Sequence, residues 1–476
     1  MSVIVVSNRV ARPGADGPMV GGLAAALLPA VRRSGAIWLG ASGRLLDEAG
    51  TEPRVQVESL GAGALAGVDL PAEQYRLFYE GMANSVIWPL LHFRADLMEF
   101  EPAQYAAYRR INALVAEAAM RFIRRDTLIW VHDYHFLMLG EALRRRGVRR
   151  PIGFFLHTPF PTASLVVCMP RHKETFRALL AYDLIGFQTD EDVTAFRDYA
   201  ATVLDVTVLD RHTISWAGRT IRIEAHPIGI EPDGFAAAAG LAMRAPEVAK
   251  LRRNLEGGRI VIGVDRLDYS KGLSNRFKAY SRYLEQYGCR KKERCTFLQV
   301  GLPTREDIQA YRYIRNDLAK LAGEINGRHS RLDWTAIRYI NEGFAPDVLA
   351  GFYRLADVGC VTPFRDGMNL VAKEYVAAQD PEDPGVLVLS QFAGAARELD
   401  AALQVNPYDV DDIARALDRA LTMSLDERRA RHAAMMDVLR RGNLTAWFDG
   451  FLAALGAAPA EAQPRPAEGR PPMVAA

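Results

Sequence analysis

Cysteine is scarce in this chain. The four present in 476 residues, Cys168, Cys289, Cys295 and Cys360, form no C-x-x-C pair. That argues against a disulfide-built scaffold and a thiolate metal site, and fits reduced thiols in the cytoplasm. Long apolar runs are missing as well. Nothing approaches the ~20 residues of a membrane span, and the apolar stretch at residues 3–6 lacks the length and basic flank of a secretory leader. The expectation is a cytoplasmic protein. Net charge is only +2, so neither a nucleic-acid groove nor an anionic membrane surface is expected, and any charge that matters acts locally. No G-x-G-x-x-G follows an early strand, which argues against a nicotinamide-dependent oxidoreductase. His132 and His135 have no third ligand at a sensible spacing, so no metal is expected, and no cofactor.

What is present is an ordinary globular composition, 49% apolar and 24% charged, in a chain long enough for two large domains. Short β-branched runs occur at residues 3–6, 37–40, 128–131, 152–156, 184–187 and 221–224. They recur at 260–264, 296–300, 337–340, 358–361, 386–389 and 403–405. Helical patterns lie between them, at 103–123, 138–146, 191–200, 273–286, 305–321, 346–355, 370–378 and 411–422. Such alternation specifies parallel sheets covered on both faces. Occurring twice, it predicts an α/β protein of two Rossmann-like, doubly wound domains facing across a deep cleft. Gly229, Pro232, Gly234 and the Ala/Gly-rich residues that follow interrupt the alternation. The expected domains are therefore 1–235 and 236–442. Residues 457–476, rich in Ala, Pro, Glu and Arg without period, are expected to be a disordered tail.

Four sets of residues carry chemistry. Arg266-Leu-Asp-Tyr-Ser-Lys-Gly272 joins a strand to a helix, and its two cations suit a diphosphate that gathers charge as it leaves. They read equally as surface cations paired with Asp265 and Asp268. Arg365-Asp-Gly-Met-Asn-Leu-Val-Ala-Lys-Glu374 also follows a strand and opens a helix. Gly367 permits close approach to a ligand, Asp366 suits sugar hydroxyls, and Glu374 suits a ribose. The alternative is that Asp366 caps the helix and Glu374 is solvated. In the first half, Arg9 ends a strand, and Gly21 and Gly22 open a helix. Asp133 and His157 stand at the ends of two further strands, His157 fixed by Pro159 and Pro161. Tyr79 and Trp88 offer aromatic faces. Arg305 could reach a phosphate shared with Arg9 and Tyr79, or else pair with Glu306 or Asp307. The face at residues 311–321 is open to a homo-oligomer contact or to solvent.

In order along residues 3–451, the runs Val-Ser-Asn-Arg9, Gly21-Gly-Leu, Trp88-Pro, His132-Asp-Tyr-His, His157-Thr-Pro-Phe-Pro, Arg266-Leu-Asp-Tyr-Ser-Lys-Gly and Arg365-Asp-Gly-Met-Asn-Leu-Val-Ala-Lys-Glu resemble glycosyltransferase family 20. The resemblance implies the GT-B fold, with a C-terminal helix at 443–456 crossing back onto the first domain. It implies a metal-independent, retaining glucosyltransferase. The donor would be a nucleoside diphosphate glucose, usually UDP-glucose, and the acceptor glucose 6-phosphate; the product would be α,α-trehalose 6-phosphate. By motif, Arg9, Tyr79, Asp133 and Arg305 would bind the acceptor, with Trp88 selecting its anomer. Gly21, Gly22, Arg266, Lys271, Phe344, Leu370, Val371, Ala372, Lys373 and Glu374 would bind the donor, Phe344 through its backbone. Asp366 and His157 would lie at the transferred glucose, with Arg266 and Lys271 on the leaving diphosphate. Residues 162–168 depart from the family pattern, which has a Pro-Glu pair and an aromatic there. Two rivals remain: a sister enzyme that glucosylates glycerol 3-phosphate, and a sugar-phosphate sensor without activity. Tyr79, Trp88 and Arg305 favour a sugar acceptor; Arg266, Lys271 and Asp366 favour catalysis.

Overall fold

The computed structural model describes residues 2–11, 22–47, 53–255, 257–288, 294–305 and 308–458. Gly21, Cys289, Glu306, Asp307 and the tail from 459 onward lie outside them. Two sheets organise the chain. The first contains β1 (Ser2–Arg9), β2 (Ile37–Leu46), β3 (Val55–Leu60), β4 (Gly63–Pro71), β5 (Thr127–His132), β6 (Ile152–Phe155), β7 (Leu184–Phe187), β8 (Thr207–Val208), β9 (Thr213–Trp216) and β10 (Arg219–Ala225). Their order is β3-β4-β2-β1-β5-β6-β7-β10-β9-β8. The pairs from β4 through β10 are parallel, and antiparallel strands close both edges. The second sheet contains β11 (Gly258–Arg266), β12 (Arg294–Leu302), β13 (Ile337–Ile340), β14 (Val358–Val361), β15 (Val386–Ser390) and β16 (Leu403–Val405). It is parallel throughout, in the order β13-β12-β11-β14-β15-β16.

Every strand expected from a β-branched run is present. The hairpin β3–β4 is not foreseeable from that signal, because β4 reads Gly-Ala-Leu-Ala-Gly-Val-Asp-Leu-Pro. Its burial between β2 and β3, not its intrinsic preference, makes it a strand. Within the interruption after Gly229, Pro232 starts a helix, Pro232–Ala242, that packs on the helices Pro346–Leu355 and Leu370–Ala378. The helix expected from residue 305 begins at Gln309 instead, because Arg305 takes a left-handed backbone (φ 50°) and Ile308 is extended. Tyr311, Ile314 and Leu318 form the buried side of that helix, while Arg312, Tyr313, Arg315 and Asn316 are exposed on the other.

The last helix, Leu444–Gly456, lies against the first sheet. Phe451 stacks on Trp130 at 4.3 Å and fills the hollow over Gly153 and Gly186. A Cβ at those glycines would lie 2.8 and 2.7 Å from its ring. The chain passes between the halves near Gly229 and again near Gly442. The two crossings touch backbone to backbone, and Leu444 N–H donates to the Ile230 carbonyl at 3.0 Å.

Candidate active site

The carboxyl ends of both sheets face one cavity of about 390 Å³, where open parallel sheets place their ligands. From the first half, Trp88, Asp133 and His157 line it; from the second, Arg266, Lys271 and Glu374. Leu23, Phe344, Asp366, Leu370 and Val371 also line it.

In the second half the loop after β11 is fixed from beneath. Arg276, fully buried on the following helix, binds the Asp265 carboxylate and donates to Thr362 Oγ1 at 3.0 Å, tying the ends of β11 and β14 together. Asp268 accepts from Ser270 N–H at 2.9 Å. Asp265 is thus committed to Arg276, whereas buried Asp268 still feels the charges of Arg266 and Lys271 without a direct bond to either. Lys271 crosses to Asp366 at 2.6 Å, and Arg266 lies 5.3 Å over the Trp88 ring. Burial pushes the Asp366 carboxyl up, but Lys271 and the Asn369 amide outweigh it and hold it below its usual range. Asn369, which sequence reading passed over, both donates to Asp366 at 2.9 Å and caps the helix by accepting from Ala372 N–H at 3.1 Å. The cap expected of Asp366 belongs to this residue. Glu374 is not solvated: it lines the cavity, and burial lifts its carboxyl to about 7.

Lys373 and Ala372 face away from the cavity. Both are fully buried, and the Lys373 ammonium donates to the Ile228 carbonyl at 2.7 Å and to Glu398 at 2.6 Å. Gly367 approaches protein rather than ligand: a Cβ on it would meet the His157 backbone. Thus the donor-side loop rests directly on the end of β6.

In the first half, Asp133 adopts φ 72° and ψ 168°, a region almost reserved for glycine. Its N–H donates to the Phe155 carbonyl at 2.7 Å and its Oδ1 accepts from His157 N–H at 3.2 Å. Asn369 on the same cavity wall also has positive φ, as does Arg305, which lies over Trp88 behind that wall; backbone strain collects at functional sites. Burial raises Asp133 to about 6. His157 Nε2 lies 3.0 Å from His132 Nδ1, and its Nδ1 lies 3.3 Å from the amide of Gln188. Burial lowers His157 to about 3, so at neutral pH its imidazole is uncharged. His92, also unforeseen, packs against Trp88 with ring centres 3.9 Å apart and lines the same cavity.

Trp88 follows a wide helical coil, Leu77–Ile87, where Asn84 and Ser85 side chains bond the carbonyls of Tyr79 and Glu80, five residues back. Pro89 supplies no N–H, and the Ser85 carbonyl accepts from Glu99 at 2.9 Å instead. Such coils recur at functional sites. Arg305 reaches across the cleft, 4.2 Å over Trp88 and 3.1 Å from Tyr134 OH. Tyr79 stacks between Tyr75 and His135 and is felt by Arg305. Arg9 lies farther out, exposed at the end of β1 beside Gly43, and is not part of the cavity wall. Gly22 begins the helix Gly22–Ser34. The divergent residues 162–168 form a short turn of helix, Ala163–Val166, outside the cavity wall. Among the described residues no three His, Cys, Asp or Glu side chains gather as metal ligands, and no helix is long and apolar enough to cross a membrane.

A family model described as glycosyltransferase family 20 matches residues 17–457. The chain belongs to glycosyltransferase family 20. Among curated relatives of this family 20 chain, the trehalose-6-phosphate synthase of Enterobacter sp. (strain 638) is 46% identical over 451 residues, 94% of each chain. A solved α,α-trehalose-phosphate synthase (UDP-forming) from Burkholderia xenovorans, in complex with glucose-6-phosphate, superposes with a TM-score of 0.91 at 46% identity, covering 96% of this chain and 100% of that one. The trehalose-6-phosphate protein from E. coli bound with UDP-2-fluoro glucose gives 0.89 at 43% identity, covering 96% and 99%. The GT-B architecture and the glycosyltransferase class expected from the motifs are those of these family 20 proteins.

Proposed function

We propose that this family 20 enzyme transfers glucose from UDP-glucose to glucose 6-phosphate with retention, giving α,α-trehalose 6-phosphate and UDP. The observation that carries the reading is one cavity with Arg266, Lys271 and Glu374 on one wall and Asp133, His157 and Trp88 on the other. Arg266 and Lys271 take the diphosphate, Lys271 exchanging Asp366 for phosphate oxygen. Glu374 receives the ribose hydroxyls. The N–H groups of Leu370 and Val371, at a helix start, face the same anion. Phe344 and Gly22 border the nucleotide and its phosphates. Asp366 and the neutral His157 hold the departing glucose through hydrogen bonds. Asp133, Arg305, Tyr79 and Arg9 receive glucose 6-phosphate, and Trp88 shapes the pocket at its anomeric carbon.

Asp366 keeps the Asn369 amide at 2.9 Å after Lys271 turns to the phosphate, and its role toward the glucose hydroxyls occupies it as an acceptor rather than a nucleophile. That favours attack on the face from which the diphosphate leaves, with a phosphate oxygen taking the acceptor's anomeric proton. Scarce cysteine and modest net charge support a cytoplasmic setting. Replacing Arg266 by Ala should lower kcat by ~100-fold or more, the range for losing one donor to developing charge. A donor-by-acceptor activity matrix with product identification tests the substrates. Preference for glycerol 3-phosphate over glucose 6-phosphate would overturn the acceptor assignment.

A further inference from the structure

The donor loop contains a third ionisable residue. Asp268, between Arg266 and Lys271, is fully buried. Burial pushes its carboxyl up, but Arg305, Arg266 and Lys271 outweigh this and hold it down at about 2. One oxygen is used inside the loop, accepting from Ser270 N–H. The other accepts from Tyr311 OH at 3.2 Å and faces the Arg305 guanidinium at 3.8 Å.

Arg305 donates to two phenols, Tyr311 at 2.5 Å and Tyr134 at 3.1 Å. Each phenol, having accepted, spends its single proton outward. Tyr311 gives its proton to Asp268, and Tyr134 gives its own to Asn84 Oδ1 at 2.9 Å. Asn84 in turn donates to the Tyr79 carbonyl at 2.7 Å. The result is a continuous polarised chain from the acceptor side, through Arg305, into the donor loop. Bonds in such chains strengthen one another. The chain also holds Arg305 in a left-handed backbone that favours glycine (φ 50°). Arg305 is itself buried, and its Nε–H has no acceptor among the described residues, so the guanidinium keeps an unspent donor.

We propose that Asp268 and Tyr311 are positioning residues that set Arg305 for the acceptor's phosphate and couple acceptor binding to the donor loop. The proposal rests on the reading that Arg305 meets glucose 6-phosphate. Asp268 shares a short loop with both diphosphate cations, so ordering that loop around one substrate leaves less to order for the other. By linkage the advantage is reciprocal.

Tyr311→Phe removes one oxygen and keeps a ring that packs on Tyr269 at 5.3 Å and beneath Arg305 at 5.5 Å. Steady-state kinetics should show the KM for glucose 6-phosphate raised about tenfold, the loss of one charge-assisted hydrogen bond, with kcat changed less. Calorimetry should show UDP affinity unchanged without acceptor, and the tightening of UDP by glucose 6-phosphate lost. Asp268→Asn keeps the shape and should reduce the preference for glucose 6-phosphate over glucose by a similar factor, which general damage to the fold would not do. An unchanged acceptor KM in Tyr311→Phe overturns the proposal, and so does a parallel fall in UDP affinity without acceptor. Arg305→Lys separates the two levels. If it raises the acceptor KM while Tyr311→Phe does not, the positioning role alone falls. If Arg305→Lys leaves acceptor dependence unchanged, the acceptor reading falls with it.

Discussion

Gly367→Ala adds one methyl group where the two halves meet. The new Cβ would lie 2.8 Å from the His157 carbonyl carbon and 3.1 Å from Thr158 Cα, and closer still to the His157 carbonyl oxygen. Carbon atoms settle at about 3.5–4.0 Å, so one backbone must retreat by roughly 0.7–1 Å. Neither can do so cheaply. His157 N–H is bonded to Asp133, and Gly367 is pinned beneath by Gly394, itself in close contact with the Gly367 carbonyl. The Asp366 side of the loop would therefore move away from the end of β6, separating groups proposed to act on one glucose. A misplacement of about 1 Å can cost ~100-fold in rate, while overpacking costs about 1–3 kcal/mol of stability. The expected outcome is a folded variant, melting a few degrees lower, with kcat/KM for UDP release down by ~100-fold. Gly240→Ala is the matched control, since nothing lies within 4 Å of a Cβ there. Helix propensity predicts that it is neutral or slightly stabilising. Should Gly367→Ala retain kcat/KM within about threefold and melt like Gly240→Ala, the contact would not position the site.

The other predictions concern pH and packing. Glu374, lifted by burial to about 7 from the usual 4.5, is largely protonated in the empty cavity below pH 7. Ribose hydroxyls donate to the ionised form, so UDP binding should release a proton there. Affinity should improve by up to about tenfold per pH unit towards 7 and then level off. Calorimetry in buffers of different ionisation enthalpy reads the proton, and Glu374→Gln should abolish the slope; an identical slope in that variant would assign the titration elsewhere. The same raised carboxyl costs folding stability progressively as pH rises from 4.5 to about 7, so Glu374→Gln should melt higher than the parent at pH 8 and no higher at pH 4. Phe451→Ala removes a fully buried ring stacked on Trp130. It should cost ~3–5 kcal/mol and lower the melting transition by roughly 10 °C; a shift under about 2 °C would show that the last helix contributes little to the first sheet.

The parallel strands were legible because their β-branched runs are buried on both faces, leaving one solution for a run such as Val358–Val361. The edge strands were not, because β4 owes its conformation to its neighbours. At the site, residues standing at strand ends could be read as Arg266, Lys271, Asp133 and His157 were. Arg305 was legible as a residue that reaches, but not what holds it: Tyr134 is 171 residues away along the chain and meets it only in space, and Tyr311, six residues on, turns toward it only because the helix begins at Gln309. His92, Gln188 and Asn369 were missed for a related reason. Single polar residues carry no periodic signal, although the Asn before an expected helix start at Leu370 was a capping clue available in the sequence. Gly367 was noticed for the right property, close approach, and assigned the wrong neighbour.

The last helix, which seats Phe451 over Gly153 and Gly186, makes the amino-terminal sheet hostage to the final stretch of synthesis. The sheet's parallel core through β7 emerges from the ribosome roughly 270 residues before that helix does. At the usual pace of translation the delay is ~15–50 s, during which the Trp130 and Phe155 face has no native cover. A nascent chain stalled or cut short within that window would present an aromatic patch to chaperones and proteases, and a premature stop only a few codons before the helix would be far more damaging than one a few codons after it.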